Sequence, residues 1–237
     1  MLWLSQNIVI SMKILAIDTS TEACSVALLS DTGCHEIFEI IPRQHTERVL
    51  PMVDQLLKQV DISLSQLDAL AFNCGPGSFT GVRIATSVTQ GLAFSNDLPV
   101  IPVSSLAALA QYAFREENKV KVLSSIDARM NEMYWGCYEL DNGLMKLTGE
   151  EKVSPITSVN SDGDWHCLGS GWDNFETELK QSELVNITSF SRECFPHAQD
   201  IAVLAAGLYK QGKVVSAEHA IPSYIRDEVT WKKIKDQ

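Results

Sequence analysis

The chain has 237 residues, 45% of them apolar, and carries 19 basic against 30 acidic side chains for a net charge of −11. That length can bury one substantial core or two smaller ones, and no apolar run is long enough to span a bilayer as a helix, so the composition is that of a globular protein without a membrane segment. Polyanions are held by Lys and Arg neutralising phosphates, so the acidic balance argues against this chain holding nucleic acid by itself; a partner would have to supply the basic surface.

Residues 1–11, MLWLSQNIVIS, have neither a basic n-region nor a small-residue cleavage site. They read as an N-terminal extension, with Met12 as the expected start. Strands are then predicted over 13–18, 23–30 and 35–41. The second, ACSVALLS, is nearly all apolar, as in a sheet covered on both faces. A helix follows over 46–60, then a strand over 67–72, a helix over 78–95, a strand over 99–103 and a helix over 104–116. Past Asn118 the pattern restarts with strands over 120–127, 133–140, 144–148 and 165–169, and helices over 171–181 and 196–211.

The restart implies an internal repeat. LAIDTSTEACSVALLSDTG (15–33) and SSIDARMNEMYWGCYELDNG (124–143) share one shape: a strand ending in Ile-Asp, a polar turn, a second strand and a hairpin turn. Two lobes are expected, 12–117 and 118–237. β-β-β-α-β-α repeated twice resembles the ground plan of the actin-like (ASKHA) ATPases. The implied fold is α/β and two-lobed, each lobe a mixed sheet with flanking helices, the second lobe reduced, especially over 149–164.

Four groups of residues carry possible chemistry. GPGSFTG (75–81) is one residue too long for a dinucleotide fingerprint, and no Lys-Ser or Lys-Thr follows it as a P-loop requires. It reads as a tight turn with Ser78 capping the next helix. The turn Asp18-Thr19-Ser20 could meet a phosphate or Mg²⁺, but its counterpart, Asp127-Ala128-Arg129, has no glycine, so any nucleotide cleft there is vestigial. The five histidines include no i,i+4 pair, and no metal site is expected. Ser78 or Cys74 with His45 could be drawn as nucleophile and base, but no G-x-S-x-G elbow supports them. The six cysteines contain no C-x-x-C and read as reduced thiols in a cytoplasm. Lys232, Lys233 and Lys235 read as a solvated terminus.

The helices raise a different possibility. Between 79 and 94 the only charge is Arg83, and small residues form two adjacent rows, Gly81-Ala85-Thr89-Ala93 and Ser87-Gly91-Ser95. Rows of that spacing let another backbone come close. The helix over 46–60 carries Val49, Val53, Leu56 and Val60 as a stripe widened by Leu50 and Leu57. Two such apolar helices are either wholly internal or an interface; the interface reading is preferred, with Val49, Leu50, Val53, Leu56, Leu57, Gly81, Ala85, Ser87, Val88, Gly91 and Ser95 as its contacts.

KILAIDTSTEACSVALLS, QHTERVLPMV, GPGSFTGVRIATSVTQGLA, PVSSL, SSIDARMNEMYW, GSGW and AEHAIPSYIRDEVTWKK together resemble the bacterial TsaB family, also called YeaZ. The resemblance implies a non-catalytic, cytoplasmic subunit of the machinery that makes threonylcarbamoyladenosine (t6A) in tRNA. It implies a heterodimer with the paralogue TsaD through the helix pair, a homodimer when TsaD is absent, contact with the ATPase TsaE through the complex, and tRNA only through the complex. No cofactor is implied for this subunit, though a nucleotide could sit at the vestigial cleft or the partner interface. The rival readings are a nucleotide-dependent, kinase-like transferase working from Asp18 and Asp127, and a peptidase.

Overall fold

A computed structural model describes residues 12–173 and 185–226. Two five-stranded mixed sheets organise it. The first consists of β1 (Ile14–Asp18), β2 (Ala23–Ser30), β3 (Gly33–Ile40), β4 (Ala69–Gly75) and β5 (Val100–Ser104), in the order β3-β2-β1-β4-β5. The second consists of β6 (Lys121–Arg129), β7 (Glu132–Asp141), β8 (Leu144–Pro155), β9 (Ser161–Leu168) and β10 (Val185–Ser191), in the order β10-β9-β6-β7-β8. Read from its other edge, the second order repeats the first. In each sheet an antiparallel three-strand meander lies beside two strands parallel to the first. This is the actin-like fold, and the repeat expected from the two Ile-Asp hairpins is present in its topology.

Burial on both faces explains the apolar run in the first hairpin. Every residue of β1 and β2 is buried. Leu15, Ile17, Cys24, Val26 and Leu28 meet the core beneath α1 (His45–Gln59) and α2 (Phe79–Asn96). Their alternates, Ile14, Ala16, Ala27 and Leu29, meet Ile201, Ala202 and Ala205 of α5 (Ala198–Lys210) on the opposite face. With side chains alternating along a strand, two covered faces require apolar residues at every position.

The last helix of each half lies against the other half. α3 (Ser105–Glu117) sends Leu106, Leu109, Ala113 and Phe114 into a core with Val122, Ile126, Tyr138 and Leu168 of the second sheet. α5 covers the first sheet, which also caps it: Ala198 N–H donates to Ser25 Oγ (2.9 Å), and Gln199 N–H donates to the Glu36 carboxylate (3.0 Å). The two helices are tied by a bidentate pair, Arg115 Nε to Asp200 Oδ1 at 2.9 Å and Nη2 to Oδ2 at 3.0 Å.

The second half departs from the sequence reading in three places. β8 runs on to Pro155, past a break in register between Trp135 and Cys137 with Gly149 at φ 85°. A three-residue 3-10 turn, Ile156–Ser158, stands where the first half has α1. β10 carries few apolar residues because it is a sheet edge, and the sequence reading passes over it. The helix predicted over 171–181 is described only as α4 (Ser170–Asp173), its remainder lying outside the described residues. Residues 1–11 and the Lys232, Lys233 and Lys235 tail also lie outside them. No described helix is long and apolar enough to cross a membrane.

Candidate functional site

The glycine loop between β4 and α2 lies directly on the first polar turn. Ser78 N–H donates to Ser20 O (2.8 Å), and Thr19 Oγ1 donates to Gly81 O (2.6 Å). A Cβ on Gly77 would sit 2.6 Å from Ser20 O, and one on Gly81 only 2.0 Å from Thr19 O. Both glycines are therefore required by close approach of backbone to backbone. Ser78 caps α2, its hydroxyl accepting from Gly81 N–H at 3.4 Å, as the sequence pattern predicts.

This packing fills the first polar turn with the chain's own glycine loop. Asp18, Thr19 and Ser20 are fully buried. Ser20 N–H donates to Asp18 Oδ1 (2.9 Å), and Ser20 Oγ accepts from Asn73 Nδ2 (2.9 Å). Asn73 Oδ1 in turn accepts from Gly75 N–H (2.9 Å) and the Ser105 hydroxyl. Asp18 Oδ2 is buried with no partner among the described residues, and burial pushes the carboxyl up to about 6 despite its bonds to Ser20. In the second turn Asp127 is partly exposed, but it accepts from Arg129 N–H (2.8 Å) and pairs with the Arg129 guanidinium at 3.2 Å. Asp18, Thr19 and Ser20 thus need rearrangement before they could meet a nucleotide, and Asp127 is committed within its own turn. The Gly169-Ser170-Gly171 turn repeats the device, with Cβ positions 2.0 Å from Ser125 O and 2.5 Å from Ser125 Oγ.

The drawn nucleophiles do not assemble. Burial pushes the Cys74 thiol up to about 12, away from the reactive thiolate. His45 Nε2 lies 3.1 Å from Ala23 O, and the Ser78 hydroxyl serves the helix cap. Among the described residues no group of three His, Cys, Asp or Glu side chains could hold a metal ion.

The helix pair divides the expected contacts into two sets. Val49, Val53, Leu56 and Leu57 are buried in the first core and are not available as contacts, because the α1 stripe faces its own sheet. Gly81 and Ala85, with Thr89 and Ala93, are likewise turned inward. Leu50 is 50% exposed. Ser87, Gly91 and Ser95 face outward, Val88 is half-buried, and a Cβ on Gly91 would meet nothing within 4 Å. The two small-residue rows therefore have opposite roles, one serving the core and one lying open. The sequence reading misses two exposed aromatics on the open side, Phe79 (70%) and Phe94 (81%). Phe94 stands three residues from Gly91 and seven from Ser87, a helical spacing that places it on the same face. Exposed large apolar groups gathered on one low-charge helix are the mark of a binding surface.

Taken together, the molecule is a two-lobed actin-like protein with a buried first polar turn and an open apolar helix face. The model of the TsaD family, described as tRNA N6-adenosine threonylcarbamoyltransferase, matches residues 37–234. The tRNA threonylcarbamoyladenosine biosynthesis protein TsaB of Escherichia coli K12 is 44% identical, covering 94% of this chain and 98% of that protein. TsaB of Haemophilus influenzae is 41% identical over the same shares. The solved structure of YeaZ from Pseudomonas aeruginosa superposes with a TM-score of 0.84 at 45% identity, covering 90% of this chain and 99% of that one. A further Pseudomonas aeruginosa structure, described as uncharacterised with similarity to peptidase YEAZ, gives a TM-score of 0.86 at 45% identity, covering 91% and 100%. The chain belongs to the TsaB (YeaZ) family of tRNA threonylcarbamoyladenosine biosynthesis proteins and is related to TsaD.

Proposed function

We propose that the chain acts in the cytoplasm as the non-catalytic subunit of the t6A-forming complex. In this reading the outward face of α2 holds a TsaD subunit, which transfers threonylcarbamoyl from threonylcarbamoyl-AMP to the adenosine 3′ of the anticodon. TsaE joins through the pair, tRNA is met only through the complex, and the same face self-associates when TsaD is absent. The observation that carries the reading is the open row Ser87-Gly91-Ser95 flanked by exposed Phe79 and Phe94, in a member of this family. No cofactor is assigned to the subunit. Any nucleotide would belong at the partner interface, since the first turn is filled by the chain's own glycine loop.

Reconstitution tests this. TsaD, TsaE, tRNA and the threonylcarbamoyl-AMP donor should form t6A when the chain is present and lose most of that activity when it is left out. Transfer by this chain without TsaD, or undiminished transfer by TsaD without this chain, would refute the proposal.

A further inference from the structure

The only charge on α2, Arg83, stands where the helix itself gains nothing from it. It lies near the N-terminal end, where the helix dipole disfavours a cation, and the first turn has no acidic residue to offset it. The side chain is exposed, and among the described residues it meets no carboxylate. Instead it is held in place. Its guanidinium carbon lies 3.3 Å from the centroid of the Phe79 ring, and Nη2 donates to Tyr224 Oη at 2.8 Å.

Tyr224 belongs to a C-terminal strap that is itself anchored along its length. Val215 bridges Val100 at the edge of the first sheet, and Ala217 and Ala220 are buried beside α2. Gln90 Nε2 donates to Ala220 O (2.9 Å), and Ser223 N–H donates to Cys74 O (2.8 Å). Beyond Tyr224, Arg226 pairs with Glu132 and reaches Ala128 O (3.4 Å). The strap thus holds Tyr224, which is 57% exposed, against a helix from another part of the chain. An arginine pre-ordered by an aromatic face and a phenol, yet meeting no acid among the described residues, has most of its ordering cost already met before a partner arrives.

We propose that Phe79, Arg83 and Tyr224 form a recognition clamp at one end of the α2 docking face, and that the partner is an apolar helix carrying a carboxylate that pairs with Arg83. This rests on the proposed association with TsaD and names the chemistry that TsaD must present there. The carboxylate is the complement of the one cation on α2, and the apolar remainder of the partner helix covers Ser87, Gly91 and Phe94.

The test is calorimetric titration of a TsaD subunit into the full chain at 50 and 300 mM NaCl, with thermal melts confirming that each variant is folded. Arg83→Gln keeps helix propensity and should weaken binding about fivefold at low salt, the upper range for a partly exposed ion pair. It should also remove most of the salt dependence seen with the wild type. Tyr224→Phe, which removes only the phenol oxygen, should weaken binding about twofold. The double variant Asp227→Asn/Glu228→Gln should bind as the wild type does. Wild-type affinity and wild-type salt dependence in Arg83→Gln would overturn the clamp. So would tighter binding by the Asp227/Glu228 variant, which would mean that the acid comes from this chain's own terminus. Self-association lost in Arg83→Gln while TsaD binding is kept would assign the carboxylate to a second copy and overturn the proposal. No binding of TsaD by the wild-type chain would instead refute the proposed function on which it rests.

Discussion

Replacing Gly81 with alanine separates a packing glycine from an outward-facing glycine on the same helix. The added Cβ would lie 2.0 Å from Thr19 O and 3.1 Å from its carbonyl carbon, a contact with backbone at both ends that no side-chain rotation relieves. Moving α2 outward to ordinary contact also stretches the bond from Thr19 Oγ1 to Gly81 O, now 2.6 Å. Overpacking of this kind costs about 1–3 kcal/mol, the lost buried hydrogen bond about 1 kcal/mol more, and alanine returns about 1 kcal/mol of helix propensity. The expected net loss is about 1–3 kcal/mol, or roughly 2–12 °C in Tm for a chain of this size. Gly91→Ala is the matched control: nothing lies within 4 Å of its Cβ, so the monomer should gain up to about 1 kcal/mol. Urea titrations of dilute protein followed by circular dichroism measure both. Equal stability of Gly81→Ala and wild type would refute the account of the glycine loop as a close backbone contact.

Other outcomes follow from the buried charges and thiols. Arg115→Met strands the fully buried Asp200 carboxylate and should cost about 3 kcal/mol in a urea melt, with Asp200→Asn in the same background restoring much of it. Asp18 and Asp200 are both raised to about 6, chiefly by burial, so between about pH 4 and pH 6 the folded chain holds protons the unfolded chain has released. The stability they contribute is full below pH 4 and lost as pH rises through 6. It amounts to a few kcal/mol, and Asp18→Asn should flatten the fall between pH 4 and pH 7; an unchanged slope would contradict the assignment. Cys74, pushed up to about 12 within the core, should resist iodoacetamide at pH 8 in native protein and react once unfolded, as mass spectrometry of the labelled peptide would show.

The first lobe was legible because its signals are local. Burial on both faces made β1 and β2 nearly all apolar, Ser78 announced the start of α2, and two Ile-Asp hairpins announced the repeat. The second lobe was less so: β10 is an edge strand whose apolar side chains are sparse, and Ile156–Ser158 offers no helical period. The outward face of α2 was half legible. Spacing alone placed Gly81 and Gly91 in separate rows but could not say which row faces the sheet, and it assigned Val49, Val53, Leu56 and Leu57 outward when the sheet claims them. The strap was beyond reach, since Tyr224 meets Arg83 across 141 positions of sequence.

The central claim, that the outward side of α2 is where a TsaD subunit binds, is tested most directly by measuring the Kd for TsaD of wild-type chain and Gly91→Leu. The open space around Gly91 predicts a folded monomer with unchanged or slightly raised Tm. The side chain would hold two closely crossing helices apart, so the account predicts a loss of about 1–3 kcal/mol, roughly fivefold to a hundredfold in Kd. A folded Gly91→Leu chain that binds TsaD with wild-type affinity would contradict it.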